Sequence, residues 1–321
     1  MNLQNFMTND YFKVIRGGLN STFQDNGREN LYHIGLPFSG AMDKRNFLIA
    51  NKLINNNKND AVIEFALQGP QLKYFGETRN IVITGNVSFK ILKNNKFKNN
   101  GECYKTIEID DGDTIDIVST NKSVYGYFSI NGGFKLDKVW NSYSTTTRAK
   151  VGPNNGDKLK DGQEILLNNP NPSPFRKLNI LNSKIEFIRV IKGTNFDYFS
   201  KQSIKDFFSK NYEVTKLTDR MGMRLNGSKL NNIKDTNIKS EGLVKGTIQV
   251  PADGQPIILL SDHGTIGGYP KIGMTISADY DKLVQTPPGS KIKFKEIELK
   301  DAENLYKLYG METNNILNKI L

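Results

Sequence analysis

Apolar and polar positions alternate with a period of two along most of this chain. Tyr11–Ile15, Ile81–Thr84, Val87–Leu92, Thr106–Ile109, Thr114–Val118 and Tyr125–Ile130 are β-branched or aromatic runs of strand length. Ile185–Ile191, Tyr212–Leu217 and Lys291–Lys295 continue the pattern in the second half. Asp110-Asp-Gly-Asp113, between two of these runs, predicts a hairpin turn. Helical periodicity is rarer. Residues 43–54 put Phe47, Ala50 and Ile54 on one face, flanked by Leu48 and Leu53. Another helix is predicted within 195–210, with Phe196, Phe199, Ile204, Phe207 and Phe208 inward, and a shorter one over 278–285, halted by Pro287-Pro288. The tail over 302–321 reads as helical but interrupted near Gly310. Short, closely spaced strands without regular strand–helix alternation predict a mostly β chain of barrels or sandwiches.

One stretch combines this pattern with chemistry. Thr247–Val250 and Ile257–Leu260 are strand-forming, and Pro251-Ala-Asp-Gly254 between them carries turn residues. The chain then runs into Ser261-Asp-His-Gly-Thr-Ile-Gly-Gly-Tyr-Pro-Lys271. That segment sets Asp262, His263, Thr265, Tyr269 and Lys271 around Gly267-Gly268. A strand feeding a glycine-rich polar loop can build a ligand site, because glycine lets backbone N–H groups come close. An ordinary hairpin with a tight return reads equally well.

Composition narrows the classes. The chain has 321 residues, enough for one large core or two modest ones, and 18 Phe with 13 Tyr supply bulky core material. The formal charge of +11 is spread singly among asparagines, as in Lys93–Asn100, rather than gathered in runs, which argues against nucleic acid as a partner. A single cysteine, Cys103, excludes an internal disulfide and suits a reducing compartment. It has no neighbouring histidine to activate it. With only His33 and His263, no metal site is expected. No apolar window approaches the ~18 residues of a membrane span, and residues 1–10 lack a signal peptide's basic start and apolar core. A cytoplasmic protein is expected. Asn168-Asn-Pro-Asn-Pro-Ser-Pro174 favours extended structure and marks a linker. The expected division is therefore 10–167, a linker over 168–184, 185–297, and a helical tail over 298–321.

Other constellations are weaker singly. Gly35–Asp43 leads into the first predicted helix, where Ser39 or Asp43 would cap it and leave an anion-binding terminus that Arg28 could complement. A plain cap with a solvated arginine is the simpler alternative. Asp219-Arg-Met-Gly-Met-Arg-Leu-Asn-Gly227 offers an electropositive loop, or a structural Asp219–Arg220 ion pair. No phosphate loop of the Gly-x-x-x-x-Gly-Lys-Ser/Thr form and no Gly-x-Ser-x-Gly elbow occurs.

In order, Thr22–Arg28, Gly35–Asp43, Ala50-Asn51, Glu64–Pro70, Tyr127–Gly133, Asp219–Gly227, Ser240–Gly242, Gly246–Pro256, Gly267–Ile272 and Pro288-Gly289 resemble the carboxyltransferase-domain family. That family includes the C-type subunit of bacterial 5-oxoprolinase, allophanate-hydrolase subunit 2 and the Kip-type antagonist of a kinase inhibitor. The resemblance implies two cyclophilin-like β-barrel subdomains around a shared cleft. It also implies a subunit-B-like partner of related fold, a third 5-oxoprolinase subunit, and a small lactam or amide substrate opened at the expense of ATP, with Mg2+ an optional companion. Carried over, Asp43, Arg220, Asp262 and Lys271 are the catalytic candidates. Arg28, Ser39, Gln249, Pro251, Asp253, Gln255, Thr265, Gly267, Gly268 and Tyr269 are the candidates for binding substrate or nucleotide. Two further readings come with the family: carboxyl transfer from biotin, as in urea carboxylase, and non-catalytic sequestration of a kinase-inhibitor-like protein. The chain departs from the family's Asp-Arg-Gln-Thr-Thr-Gly-Gly-Tyr loop at Gly264 and Ile266, and from a Gly-Arg-x-Leu-x-x-Gly-Asp-like pattern at Asp157 and Gln163. Lost hydrogen-bonding groups at a pocket shift substrate choice.

Overall fold

The structure, a computed structural model, describes residues 10–94, 96–179 and 186–320. It divides into two compact units, one of Met1–Gly27, Arg45–Ile180 and Leu317–Leu321, the other of Arg28–Lys44 and Leu181–Ile316. The second unit is thus discontinuous, a feature that a contiguous division of the sequence does not contain.

Among the described residues the first unit holds eleven strands: β1 (Tyr11–Arg16), β2 (Ser21–Gln24), β3 (Val62–Ala66), β4 (Gln71–Phe75), β5 (Arg79–Thr84), β6 (Val87–Lys93), β7 (Lys96–Asn100), β8 (Ile107–Ile109), β9 (Asp113–Thr120), β10 (Tyr125–Ile130) and β11 (Glu164–Leu166). They form a six-stranded sheet, β11-β1-β4-β9-β6-β7, and a five-stranded sheet, β2-β3-β10-β5-β8. Alternation drives this arrangement. Phe12 and Val14 of β1 and Leu72 and Tyr74 of β4 share one core with Ile81 and Ile83 of β5. β10, buried along its whole length, lies between β3 and β5. The helix Lys44–Leu53 buries Phe47, Ile49, Ala50 and Leu53.

Asp110–Asp113 does turn the chain, with Asp113 N–H donating to the Asp110 carbonyl and Gly112 at φ +80°. It is not a hairpin turn. β8 pairs with β5 while β9 lies between β4 and β6, so the turn carries the chain from one sheet to the other. The described part of the proline-spaced segment is held to the first unit. Asn80 Nδ2 donates to the Ser173 carbonyl at 3.1 Å, and Thr106 N to the Arg176 carbonyl at 2.9 Å. Residues 180–184 of the expected linker and Ile185 of the expected strand lie outside the described residues.

The second unit adds β12 (Ile188–Lys192), β13 (Tyr212–Thr218), β14 (Gly222–Asn226), β15 (Glu241–Gly242), β16 (Thr247–Gln249), β17 (Ile257–Leu259), β18 (Ile266–Gly267), β19 (Lys271–Thr275), β20 (Lys291–Ile292) and β21 (Phe294–Glu296). Eight of these form one sheet in the order β20-β13-β14-β17-β16-β19-β12-β21. Its two edge strands are separated in the chain by Lys293 alone. A sheet whose first and last strands are consecutive must roll until its edges meet, so it closes as a barrel. The single strand predicted over Lys291–Lys295 is thus two, β20 pairing with β13 and β21 running parallel to β12.

The helix Lys201–Ser209 is capped by Ser200, whose hydroxyl accepts from Ser203 N. Its Phe207 is fully buried and stacks on Phe294 at 4.5 Å. Ahead of it, Phe196–Tyr198 form a separate 3₁₀ turn, so 195–210 is not one helix. Ser277–Val284 is helical as expected. The last helix runs unbroken over Leu299–Asn318, through Gly310, because glycine there costs only about 1 kcal/mol and meets no neighbour.

The mostly β expectation is borne out. Among the described residues no helix is long and apolar enough to cross a membrane, and no group of His, Cys, Asp and Glu is arranged to hold a metal ion. Phe294→Ala removes a buried ring from the barrel's closing strand. We expect it to lower the unfolding free energy by about 3–5 kcal/mol, read by urea denaturation.

Candidate functional site

Every residue singled out for chemistry lies in the second unit, since Arg28–Lys44 belongs to it. The residues do not form one cluster; they separate into three.

The tightest group is centred on Asp262, in the loop after β17. Arg220 grips it through two nitrogens, Nε to Oδ2 at 2.8 Å and Nη2 to Oδ1 at 3.0 Å. The Ser39 hydroxyl donates to Oδ1 at 2.6 Å, and Arg220 Nη2 also donates to the Gly40 carbonyl at 2.7 Å. Backbone bonds frame the contact, Asp262 N to Arg220 O and Ser39 N to Ser261 O. All three side chains are buried. A buried pair persists only when its remaining donors and acceptors are satisfied, and this one is supplied from two loops and the Arg28–Lys44 segment. Ser39, expected to cap a helix, gives its hydroxyl to Asp262. Asp43 accepts from Gln285 Nε2 at 2.9 Å. Arg28, 2% exposed, donates its backbone N–H to Phe38.

His263 continues this group. Its Nδ1 is 2.6 Å from the Gly264 carbonyl, which can only accept, so Nδ1 carries the proton. Nε2, 3.0 Å from the Tyr32 hydroxyl, is therefore the acceptor in the neutral ring, and Tyr32 donates. Burial holds the imidazole below its ordinary pKa, outweighing the carbonyl and Asp262, which act the other way. Burial also raises the Tyr32 phenol. His263 was noted in the glycine loop but not among the site candidates. Tyr32 carried no local signal in the sequence.

Lys245 directly precedes Gly246. The residue as a whole is exposed, and its ammonium lies 4.2 Å from the centre of the Tyr280 ring. Burial around the ammonium lowers its pKa; Asp281 opposes that, and Lys44 and Arg220 add to it. The Tyr280 hydroxyl lies 3.2 Å from Ser261 Oγ, next to Asp262.

The second group surrounds Lys271, on β19. Its ammonium donates to Glu241 Oε2 at 2.6 Å and to Asn195 Oδ1 at 3.2 Å. Gln249 pairs with Lys271 across the sheet and donates to the Tyr269 carbonyl at 3.3 Å. Here the glycines have a packing reason. A Cβ on Gly267 would meet Leu243 Cδ1 at 2.8 Å and Gln249 Nε2 at 2.9 Å, and one on Gly268 would meet the Ile238 carbonyl at 2.8 Å. β18, which contains Gly267, pairs with β15, and Thr265 O accepts from Leu243 N. Gly264 and Ile266, the two departures from the family loop, are both exposed, as is Tyr269.

The third group is the β16–β17 turn. Asp253 Oδ1 accepts from Gln255 N, and the Gln255 amide bonds Gly227 at both N and O. Gly254 N closes the turn on the Pro251 carbonyl. Asp253 and Gln255 thus use their polar atoms to hold the hairpin and β14 together.

The first unit has polar features of its own. Buried Asp25 accepts from Ser142 Oγ at 2.7 Å, Tyr143 N at 2.7 Å and Gly27 N at 2.8 Å, a saturated carboxylate. Half-buried Asp157 is held down to about 2 by Lys160, the Lys158 backbone and Lys150. A polar cleft of roughly 170 Å³ is lined by Arg79, Asn80, Glu108 and Asn131 among others, and includes none of the residues above.

Residues 34–296 match the family described as carboxyltransferase domain, subdomain A and B. The chain belongs to this family. Within it, the chain is 32% identical to the C-type subunit of 5-oxoprolinase from Haemophilus influenzae, over 89% of this chain and 91% of that protein. It is 30% identical to the Escherichia coli protein of the same name, over 90% and 92%. Among solved structures it resembles the Kluyveromyces lactis urea amidolyase, with a TM-score of 0.87 at 27% identity over 98% of this chain. It spans only 20% of that much longer protein.

In this carboxyltransferase-type chain, removing one member of the buried pair strands the other. Asp262→Ala should cost about 3–5 kcal/mol in urea denaturation, and combining it with Arg220→Met should recover part of that loss. His263 supplies a pH test. Its folded-state pKa lies below the unfolded value, so below about pH 6.5 the unfolded chain binds a proton that the folded chain does not. Stability should therefore fall between pH 7.5 and 5.5, with a shallower fall in His263→Gln.

Proposed function

We propose that this chain is the C-type subunit of an ATP-dependent, 5-oxoprolinase-type enzyme, acting on a small lactam or amide with a subunit-B-like partner and a third subunit. The observation that carries the reading is the near end-to-end match, at 30% identity or above and in both directions, to two proteins named as this subunit of 5-oxoprolinase. An unstrained five-membered lactam resists hydrolysis, and phosphorylation of its carbonyl oxygen by ATP activates the carbon for water. Addition of that water and cleavage of the C–N bond free the amine and leave an acyl phosphate, which a second water hydrolyses to the open amino acid, with ADP and inorganic phosphate as the other products.

The geometry supports a division of labour. Arg220, Asp262 and Ser39 are committed to one another, and Lys271 to Glu241 and Asn195, so in this reading they set the shape of the site. Neutral His263, buried with Nδ1 held by the Gly264 carbonyl, would accept a proton at Nε2 through the Tyr32 hydroxyl that already donates to it. The phosphates of ATP would need a cation not already paired, and Lys245 fits that requirement.

A second reading, carboxyl transfer from biotin, is favoured by the TM-score of 0.87 to urea amidolyase. It requires a biotin carrier on another chain. Co-expression with the neighbouring subunits separates the two. Glutamate released from 5-oxoproline only with ATP is the expected result. A complete, folded complex that releases none, but copurifies with a biotinylated chain on an avidin blot, would sink the first reading in favour of the second.

A further inference from the structure

Of the cations expected to meet ligand charge, Arg220 and Lys271 are neutralised by carboxylates of the chain itself. Lys245 is different. Among the described residues its ammonium has the Tyr280 ring face as its partner and no carboxylate in ion-pair contact. The nearest acidic influence is Asp281, which already accepts from Lys44 N at 3.2 Å and from the Tyr309 hydroxyl. Lys44 and Arg220 add positive charge around the same point.

A lysine on a flexible stem ordinarily keeps its head in water. Here the head lies over an aromatic ring, an arrangement that replaces part of its hydration with the ring's negative face. A ring gives one such contact, whereas an ammonium has three N–H donors to satisfy. The residue as a whole keeps exposed surface, through which a ligand can reach an ammonium that is itself partly desolvated. The buried Ser261 and Tyr280 hydroxyls are adjacent, and His263 is close enough to feel its charge.

We infer that Lys245 is an anion-recognition point of the second unit, taking the carboxylate or phosphate group of a small ligand beside the Arg220–Asp262–His263 group. This rests on the 5-oxoprolinase-type reading only for the choice of ligand, because 5-oxoproline carries a carboxylate and ATP a triphosphate. Tyr280 holds the ammonium in place, and the locked Arg220–Asp262 pair contributes a fixed wall rather than a competing counter-ion.

Titration calorimetry of the full chain with 5-oxoproline, and separately with inorganic phosphate, tests this without the partner subunits. In Lys245→Met, binding should weaken about tenfold or more, while Lys245→Arg keeps most of it. Both variants should melt close to the parent, because the ammonium makes no ion pair within the fold. Lys245-dependent phosphate binding without 5-oxoproline binding would support the anion point and remove the lactam carboxylate as its occupant. Unchanged affinity in Lys245→Met, or no binding of either anion to the parent chain, would overturn the inference, whatever the assembled enzyme does with ATP.

Discussion

The second unit depends on one costly contact, the burial of Arg220 against Asp262. Taking two charges out of water carries a penalty that the pair offsets only when its other donors and acceptors are also met. The chain meets them with the Ser39 hydroxyl and the Gly40 carbonyl, both from Arg28–Lys44. The electrostatic requirement therefore explains why a segment from early in the sequence belongs to a unit built from its second half. It also fixes the loop after β17, and with it the placement of His263 and its hydrogen bond to Tyr32.

This view changes what the polar residues of such a domain mean. Arginine, aspartate and lysine near a glycine loop invite roles as reagents. In this chain Arg220, Asp262 and Lys271 are held in ion pairs, and Asp253 and Gln255 are tied into the backbone of a turn. The group with spare capacity is less conspicuous, a lysine over a tyrosine, while neutral His263 has both ring nitrogens in hydrogen bonds.

Much of the fold was legible because bulky β-branched and aromatic alternation survives in any context. β1, β5, β6, β10, β13 and the β16–β17 hairpin all follow it. The failures share a cause. Turn residues at Asp110–Asp113 specify that the chain reverses, not which sheet the next strand joins. Lys291–Lys295 has strand character throughout, yet Lys293 changes partners because the barrel must close there. Gly310 lowers helix propensity, and the flanking turns outweigh it. At the site, Ser39, Arg220 and Asp262 were named individually, but their contact spans up to 223 residues of sequence. Gly267 and Gly268 suggested close approach of a ligand, and the close neighbours are Leu243, Gln249 and Ile238. Lys245 had no sequence signal, being one lysine among many; only the ring beneath it distinguishes it.

Closure of the barrel by β20 and β21 also governs when the unit can exist during synthesis. Sheet edges separated by Lys293 alone cannot meet until residue 296 has been made, and Arg28–Lys44, made first, has no partner for its Ser39 until Asp262 follows. The nascent chain therefore carries that early segment through most of translation without its contacts to Arg220 and Asp262. Such long-range closure makes for slow folding and a prolonged period of exposed strand edges. The second unit is made almost in full before any of it can be finished.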